Sequence, residues 1–570
     1  MYCYACDSKV ENLAGDYVIN VHLAKDPQRI NPIIRSTSTA REVYQYLFLP
    51  MAEYNPQSLE FDPILINKLP EKREEAEGDY AGGVSYTFEI LEEAVWEDGI
   101  PITGKDYLFT LKTIMHPQVN AARWRSVLNR ISDIKLDETN PKRFSVYFKK
   151  DYMLSLEACA SVEIFPEHIY DPELKLRSVE YFQLLDEDKL ANVLKQDSSS
   201  IAFAVSFNSA NYSRDIVSGA GPYKLTDWKT DQFIVLERKE NWWGNAFPER
   251  PFLQAYPAKI VLHIIADEAA AITQLKNGGL DILKGISGIN YKDLESDESL
   301  RNSFSFNSPQ LMRYYYLGLN NRSPLLDDKS ERNAIAHLIP MDKVIESLEE
   351  GMGVQIVGDF LPTRNYYNKD LKPITYDLEL ANQLLSKAGW SDTDGDGVKD
   401  QILQGRKQDL VLRMHVSGSK LGNSLALILK ESAASAGVKI EVVQKKFSLI
   451  RNENLSTGDF EIVALVKTQS LTPNDPYLSW HTDNAKPGGS NYFGFGSIET
   501  DRLIEQIRNS KSEEERKDYY LEFQEKIFDQ QPVIFLYAPK EKIVSSNKLE
   551  GVISMKRPGY FANTFKRQDS

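Results

Sequence analysis

Short runs that alternate apolar and polar residues recur along this chain, separated by stretches with helical spacing. Tyr17-Val18-Ile19-Asn20-Val21 predicts a first strand, and after the Asp26-Pro27 and Asn31-Pro32 loop, Arg41 to Leu49 predicts a helix with Val43, Leu47 and Phe48 on its apolar face. Ser85 to Ile90 and Phe144 to Phe148 alternate as strands, and Lys105 to Met115, preceded by Thr103, reads as the helix between them. Gly219-Ala220-Gly221-Pro222 leads into two strand-like runs, Tyr223 to Trp228 and Phe233 to Glu237, joined by a polar turn and followed by Asn241-Trp242-Trp243-Gly244. Ile260 to Ile265 reads as a buried strand, and Asp267 is placed to cap a helix from Glu268 to Lys276 that Gly278 and Gly279 end.

A third region begins near Met312 with the aromatic run Arg313 to Asn320. A helix capped by Asp377 carries Leu380, Ala381, Leu384, Leu385 and Ala388 and stops at Gly389. A second helix runs from about Asn423 to Ala436 into the strand Val438 to Val442. Two closing helices span Thr500 to Asn509 and Ser512 to Asp529, the latter headed by Ser512 with Glu515 in capping-box spacing, before a strand from Pro532 to Tyr537. Strand and helix alternate, the signature of an α/β protein.

At 570 residues the chain exceeds what one core organises, and two to four domains or subdomains are expected. No apolar run approaches the roughly 18 residues of a membrane-spanning helix. The net charge of −15, from 82 acidic against 67 basic side chains, argues against nucleic acid as a partner.

Candidate chemistry is sparse. The sequence has no Gly-x-Ser-x-Gly elbow, phosphate-cradling glycine loop or His-Glu-x-x-His helix. The seven histidines show no metal spacing; His263 and His337 read as structural. Asp392, Asp394, Asp396 and Asp400, with Gly397 at the sixth position, fit the start of a calcium loop, but Leu403 stands where a bidentate acid completes the shell. Asx turns and glycines explain the segment without metal. Cys159 lies in an apolar stretch and reads as a buried side chain, and the Cys3/Cys6 pair lacks further ligands for a zinc site.

The Gly219–Leu225 hairpin with Asn241-Trp242-Trp243-Gly244 resembles the signature of the large bacterial solute-binding proteins of ABC importers, the family of oligopeptide, dipeptide and nickel carriers. Other segments match that family in order: the Trp96-Glu97-Asp98-Gly99 turn before the helix with Asp106, the Ile164–His168 segment, and the strand–helix unit closed by Asp281-Ile282. Trp96 and Asp106 themselves read as a packing anchor and a charge favouring the helix dipole. The resemblance implies an α/β, two-lobed periplasmic-binding-protein-like fold of type II with an extra subdomain, its lobes joined by two hinge strands. It implies a tether at 1–16, a first lobe from 17–49, 206–309 and 496–570, an extra subdomain at 50–205 and a second lobe at 310–495. It implies no enzyme activity and no cofactor.

Function implied in the same way is capture of an oligopeptide-like solute between closing lobes and delivery to membrane permease subunits, by a monomer. Peptide-binding members hold the ligand's α-amino group with an aspartate just before a Pro-containing turn; here Thr472 occupies that place in Gln469-Ser470-Leu471-Thr472-Pro473-Asn474. Dipeptide binders place an arginine for the carboxylate where this chain has Ser417 to Lys420, leaving Lys420 as a point charge. Each charge-assisted hydrogen bond contributes about 1.5–3 kcal/mol, so losing both weakens a zwitterionic ligand by about two to three powers of ten. Candidate ligand contacts are Ser36, Thr37, Ser38, Lys420, Gln469, Ser470, Thr472, Asn474, Trp480, Asn491 and Tyr492, with Tyr314 to Tyr316 and Phe493 as further aromatics. Tyr4-Ala5-Cys6-Asp7 resembles the end of a lipoprotein signal, which makes Cys6 the candidate lipidated residue and the cell surface or periplasm the expected location. The competing readings are a receptor for a metal chelate, haem or a glycan on the same fold, with His415 and His481 as metal suspects, and a hydrolase with dispersed catalytic residues.

Overall fold

The structure is a computed structural model that describes residues 16–34, 37–185, 197–486, 488–510 and 512–568. Cys3, Cys6 and Ser36 lie outside the described residues. The described residues form two compact units, one drawn from the ranges 1–309 and 542–570, the other from 310–541.

In the first unit a seven-stranded mixed sheet runs in the order Phe304–Asn307, Ile543–Ser546, Ile282–Lys284, Val18–Leu23, Lys259–Ile264, Phe233–Arg238, Tyr223–Lys229. Val18–Leu23 pairs in parallel with both of its neighbours, whereas the outer pairs are antiparallel. A separate antiparallel sheet of Arg73–Glu75, Gly83–Glu89, Arg143–Phe148 and Ile131–Leu136 lies in the 50–205 stretch. One continuous hydrophobic core nevertheless joins it to the large sheet, running from Ile19 and Val21 through Phe88 and Tyr107 to Tyr560. The helix Gly104–Met115 starts at a reciprocal capping box of Thr103 and Asp106, so Asp106 serves the helix end; Trp96 is buried.

The glycine–proline hairpin is scaffold, and its geometry explains its composition. Gly221 N–H donates to Leu47 O at 2.9 Å and Tyr223 N–H to Tyr46 O at 3.1 Å. A Cβ on Gly219 or Gly221 would collide with the carbonyl oxygens of Leu47 and Tyr46, so only glycine allows this approach. The same pairing shortens the expected Arg41–Leu49 helix: helix runs from Ser38 to Tyr44, and the next carbonyls are committed to the hairpin. Lys239, buried, donates to Gly219 O at 2.6 Å, and burial pushes its ammonium down to about 8. Trp242 donates its indole N–H to Ala220 O, and its ring fills the space a Gly244 side chain would take.

The second unit is built on a five-stranded sheet, Lys439–Gln444, Val411–Val416, Ile462–Thr468, Arg313–Leu319, Val533–Phe535. The first three are parallel; Arg313–Leu319 runs antiparallel to both of its neighbours. Residues 496–541, expected in the first lobe, belong to this unit, because the chain returns through helices Ile498–Asn509 and Glu513–Gln530 to pair Val533–Phe535 with Arg313–Leu319. Ser512 Oγ caps the second helix by accepting from Glu515 N–H. Asp377 caps Leu378–Lys387 as expected, and the next helix begins at Lys420, capped by Ser419, three residues earlier than the pattern predicts.

Candidate ligand-binding site

Alternation along Arg313–Leu319 divides the second unit's sheet into two chemically distinct faces. Leu317 and Leu319 enter the hydrophobic core, and Tyr315 packs on Tyr537 with centroids 5.1 Å apart. Tyr314 and Tyr316 point to the opposite face, where the register sets Tyr314 opposite Lys467 and Tyr316 opposite Leu465.

On that face a buried carboxylate organises the site. Asp359 accepts from the Tyr314 hydroxyl, from Trp480 Nε1 at 2.6 Å, and from Lys467 Nζ at 2.7 and 2.8 Å to its two oxygens. Asp359 is 2 % exposed, and the Lys467 side chain retains 27 % exposure. The ion pair is therefore enclosed on its acidic side and open on its basic side. Two ammonium protons serve Asp359, which leaves a third donor available. Around the pair stand Tyr316, Phe493, Phe495 and Phe535, edge-on or tilted to their neighbours at 5.8–6.4 Å. Burial raises the Tyr314 and Tyr316 hydroxyls above the ordinary phenol range, and the Asp359 charge adds to it, so both remain neutral donors.

Next to this cluster the loop after Thr468 is clamped. Arg364 donates from Nη1 to Leu471 O at 2.6 Å and from Nη2 to the carbonyls of Ser470 and Thr472. The Tyr366 hydroxyl donates to Asn474 Oδ1 at 2.8 Å, and Tyr520 donates to Asn474 O. Tyr366 and Tyr520 stack with centroids 4.3 Å apart. A guanidinium spanning three carbonyls and a tyrosine stack fix a polar loop that has no regular hydrogen-bonding ladder. Its outer side carries the Ser470 and Thr472 hydroxyls, which bond each other.

The sequence-predicted residues do not share one role. Ser470 and Thr472 present side chains on the clamped loop, Ser470 exposed and Thr472 half-buried. Gln469, Asn474, Trp480 and Asn491 instead hold the scaffold. Gln469 donates to Asp359 O, Asn474 is engaged by two tyrosines, Trp480 is 3 % exposed, and Asn491 donates to Phe495 O at 2.6 Å. Tyr492 is half-buried, and its carbonyl accepts from Arg322 at 2.6 Å. Lys420 lies exposed in the first turn of its helix. In the first unit Thr37 caps Ser38–Tyr44 through a 3.1 Å bond from Ala40 N–H, and Ser38 is exposed beside it.

Sequence reasoning missed Asp359, Lys467 and Arg364 as organising residues. Asp359 lies in Val357-Gly358-Asp359-Phe360, a segment without periodicity, and only the three-dimensional meeting with Lys467 reveals it. Lys467 carried a local signal: a lysine near the end of an apolar strand needs a counter-charge if its stem is buried.

The metal suspects separate. His415 is 2 % exposed within its strand, its ring nitrogens have no hydrogen-bond partner among the described residues, and burial lowers its pKa. His481 is framed by Asp501 and Glu505 at 3.8 and 3.6 Å. Among the described residues, the one group of metal-ligating atoms is Asp392, Asp394 and Asp400, whose oxygens lie within 4.8 Å of one another. Those oxygens are already engaged. Asp392 accepts from Gly395 and Gly397 N–H, Thr393 bonds Asp400, and the Lys407 ammonium bonds Asp394 and lies 3.4 Å from Asp400. Asp396 is outside the group and accepts from Val398 N–H.

Comparison with known proteins identifies the class. Residues 76–489 match the family of bacterial extracellular solute-binding proteins, family 5, in its middle region, and the chain belongs to that family. Its α/β fold is the two-lobed fold of these binding proteins. The oligopeptide-binding protein AppA of Bacillus subtilis is 26% identical over 476 residues, covering 82% of this chain and 78% of AppA. The AppA structure with a nonapeptide superposes with a TM-score of 0.66 at 21% identity, over 98% of this chain and 99% of that one. NikA from Brucella suis, solved with Fe(III)-EDTA, gives a TM-score of 0.74 at 17% identity over 97% and 100% of the two chains. Among the described residues, no helix is long and apolar enough to cross a membrane.

Proposed function

We propose that this protein is the substrate-binding component of an ABC importer and captures an oligopeptide-like solute for delivery to membrane permease subunits. The observation that carries the reading is the clamped loop beside the Asp359–Lys467 pair, within a chain that belongs to the solute-binding family. One free ammonium donor and the hydroxyl proton left over by the Ser470–Thr472 bond suit the carbonyl-rich main chain of a peptide, and the aromatic surround suits its side chains. Lys467 contributes a positive charge here, and Thr472 leaves the α-amino group without a carboxylate at the place the peptide-binding pattern provides one. The solute is therefore recognised by its backbone or an acidic group before its amino terminus.

Capture by lobe closure follows from differential contact, since a solute favours the state in which more of its surface is held. The protein acts as a monomer, binds no nucleic acid, performs no catalysis, and is anchored through a lipid on Cys6. Ser36, Thr37 and Ser38 supply the first lobe's polar contacts, and Lys420 and Tyr492 are secondary to the Ser470–Thr472 loop. The test is calorimetric titration with defined peptide pools. Submillimolar binding by N-acetylated peptides, lost in Lys467→Met, is the expected result. Binding that requires a free amino terminus, or is unchanged in Lys467→Met, would overturn the assignment. A solute containing a chelated metal, in keeping with the ligand of the NikA structure, is the competing outcome.

A further inference from the structure

One carboxyl group of the first unit is enclosed without a partner. Glu163 forms a β-bridge with Pro50, and the next N–H, that of Ile164, donates to Leu49 O at 3.2 Å, so its backbone is fixed in place. Its Oε2 is shut off from water and has no hydrogen-bond partner among the described residues. The titratable and charged groups that face it come from four directions. The helix Ser38–Tyr44 supplies Arg41 and Tyr44, the strand Ala52–Tyr54 supplies Glu53, the helix Ala122–Leu128 supplies Arg123, and the C-terminal segment supplies Lys556 and Arg557.

Several of these charges are already committed elsewhere. Lys556 Nζ lies 3.0 Å from Glu53 Oε1, which also accepts from Tyr54 N–H at 2.8 Å, and Arg123 donates to Pro32 O at 2.7 Å. Burial raises the Tyr44 hydroxyl to about 12, so it stays neutral. A carboxylate at Glu163 therefore lacks a donor on its enclosed oxygen, which is costly, whereas the carboxylic acid carries no charge to bury. Burial accordingly raises the Glu163 carboxyl to about 7, with Arg41 opposing the rise and Glu53 adding to it.

Arg41 is the cation placed to respond when Glu163 ionises. Its side chain is 45 % exposed and, among the described residues, pairs with Glu53 alone, at 3.7 Å. It lines the same small cleft as Glu163. Its main chain ties it to the start of its helix, because Arg41 N–H donates to Thr37 O at 3.2 Å and Thr37 Oγ1 accepts from Ala40 N–H at 3.1 Å. We propose that proton loss from Glu163 draws the Arg41 guanidinium away from Glu53 and, through this first helical turn, shifts Thr37 and Ser38, which makes the start of the helix a pH-sensitive switch. Thr37 and Ser38 are proposed solute contacts, but the switch is a property of the first unit and does not depend on that reading.

The test follows carboxyl ¹³C signals of the Glu-labelled full chain, together with Ala and Thr methyl signals, from about pH 5 to about pH 9. The Glu163 carboxyl, assigned by its loss in Glu163→Gln, titrates with a midpoint near 7, and the Ala40 and Thr37 methyls shift with the same midpoint. Both methyl shifts vanish in Glu163→Gln, which has the shape of the acid and cannot ionise. In Arg41→Met the carboxyl still titrates, at or above the wild-type midpoint because a cation that favoured the charged form is gone, while the two methyls stay still. The proposal is overturned by a Glu163 midpoint near 4.5, by Ala40 and Thr37 signals that do not move between about pH 6 and about pH 8 in wild type, or by shifts that persist in either variant. The methyl titration is read on the wild-type protein, and Arg41→Met alters a largely exposed side chain, so the outcome does not hang on the folding of Glu163→Gln.

Discussion

Replacing Asp359 with alanine removes the group on which the second unit's aromatic face converges. The variant strands two buried donors, the Tyr314 hydroxyl (1 % exposed) and the Trp480 indole N–H (3 % exposed), at about 1–3 kcal/mol each. Lys467 also loses its counter-ion, but its side chain is 27 % exposed and turns toward water, so its share is discounted to less than about 1 kcal/mol. Together these give a loss of about 2–7 kcal/mol, with a central value of about 4 kcal/mol that sets the size of the shift. For a folding unit of the size of residues 310–541, each kcal/mol lowers Tm by roughly 2–4 °C, so the transition of that unit falls by roughly 8–16 °C. Differential scanning calorimetry of wild type and Asp359→Ala makes the comparison, and Asp359→Asn, which keeps one acceptor oxygen, falls between them. A transition within about 2 °C of wild type in Asp359→Ala would refute the reasoning, because it would mean that the four bonds into Asp359 contribute nothing net.

Three further outcomes follow from the same geometry. Burial raises the Glu331 carboxyl to about 7 while Trp390 Nε1 donates to it at 2.6 Å. With its folded pKa above the unfolded value near 4.5, Glu331 contributes stability that is full below pH 4.5 and lost as pH rises through about 7. Glu331→Gln should therefore gain up to about 3 kcal/mol on wild type between those two pH values by urea titration; parallel pH profiles would contradict this. Gly221→Ala should cost about 3 kcal/mol or more by chemical denaturation, since its Cβ meets the Tyr46 carbonyl; a loss under about 1 kcal/mol would show that the hairpin yields easily. Millimolar calcium should leave Tm unchanged, because the Lys407 ammonium already stands between Asp394 and Asp400 where a cation would sit; a calcium-dependent rise that vanishes in Asp394→Ala would restore the metal reading.

The alternating runs made the fold legible where one face of an element is apolar and its ends are capped by local chemistry. Asp267 and Asp377 cap the helices they were read to cap, and the Tyr223 and Phe233 strands pair as the hairpin the turn residues predict. Errors arise where distant backbone intervenes. The helix after Ser38 ends early because Gly219–Tyr223 claims the carbonyls of Tyr46 and Leu47, a contact nothing within residues 41–49 encodes. Likewise, assigning residues 496–541 to a unit requires knowing which strand Val533–Phe535 joins, and register across two hundred residues leaves no local trace.

The site was less legible for a related reason. Trp480, Gln469 and Asn474 have the right chemistry for a ligand, and the right chemistry equally for holding a buried carboxylate and a loop. Only the presence of Asp359 and Arg364 decides between the two roles, and both come from segments far away in sequence. On the outer side of the loop, exposed Ser470 and half-buried Thr472 carry hydroxyls that bond each other, and nothing in their local sequence distinguishes them from the residues that turn inward.

The most direct test is native mass spectrometry of the purified chain with its retained solute, followed by release and sequencing of that solute. A set of short peptides, enriched in acidic residues and reduced in Lys467→Met, is the predicted result. A chelated metal or haem in their place, or an empty protein that no peptide pool stabilises, would contradict the account.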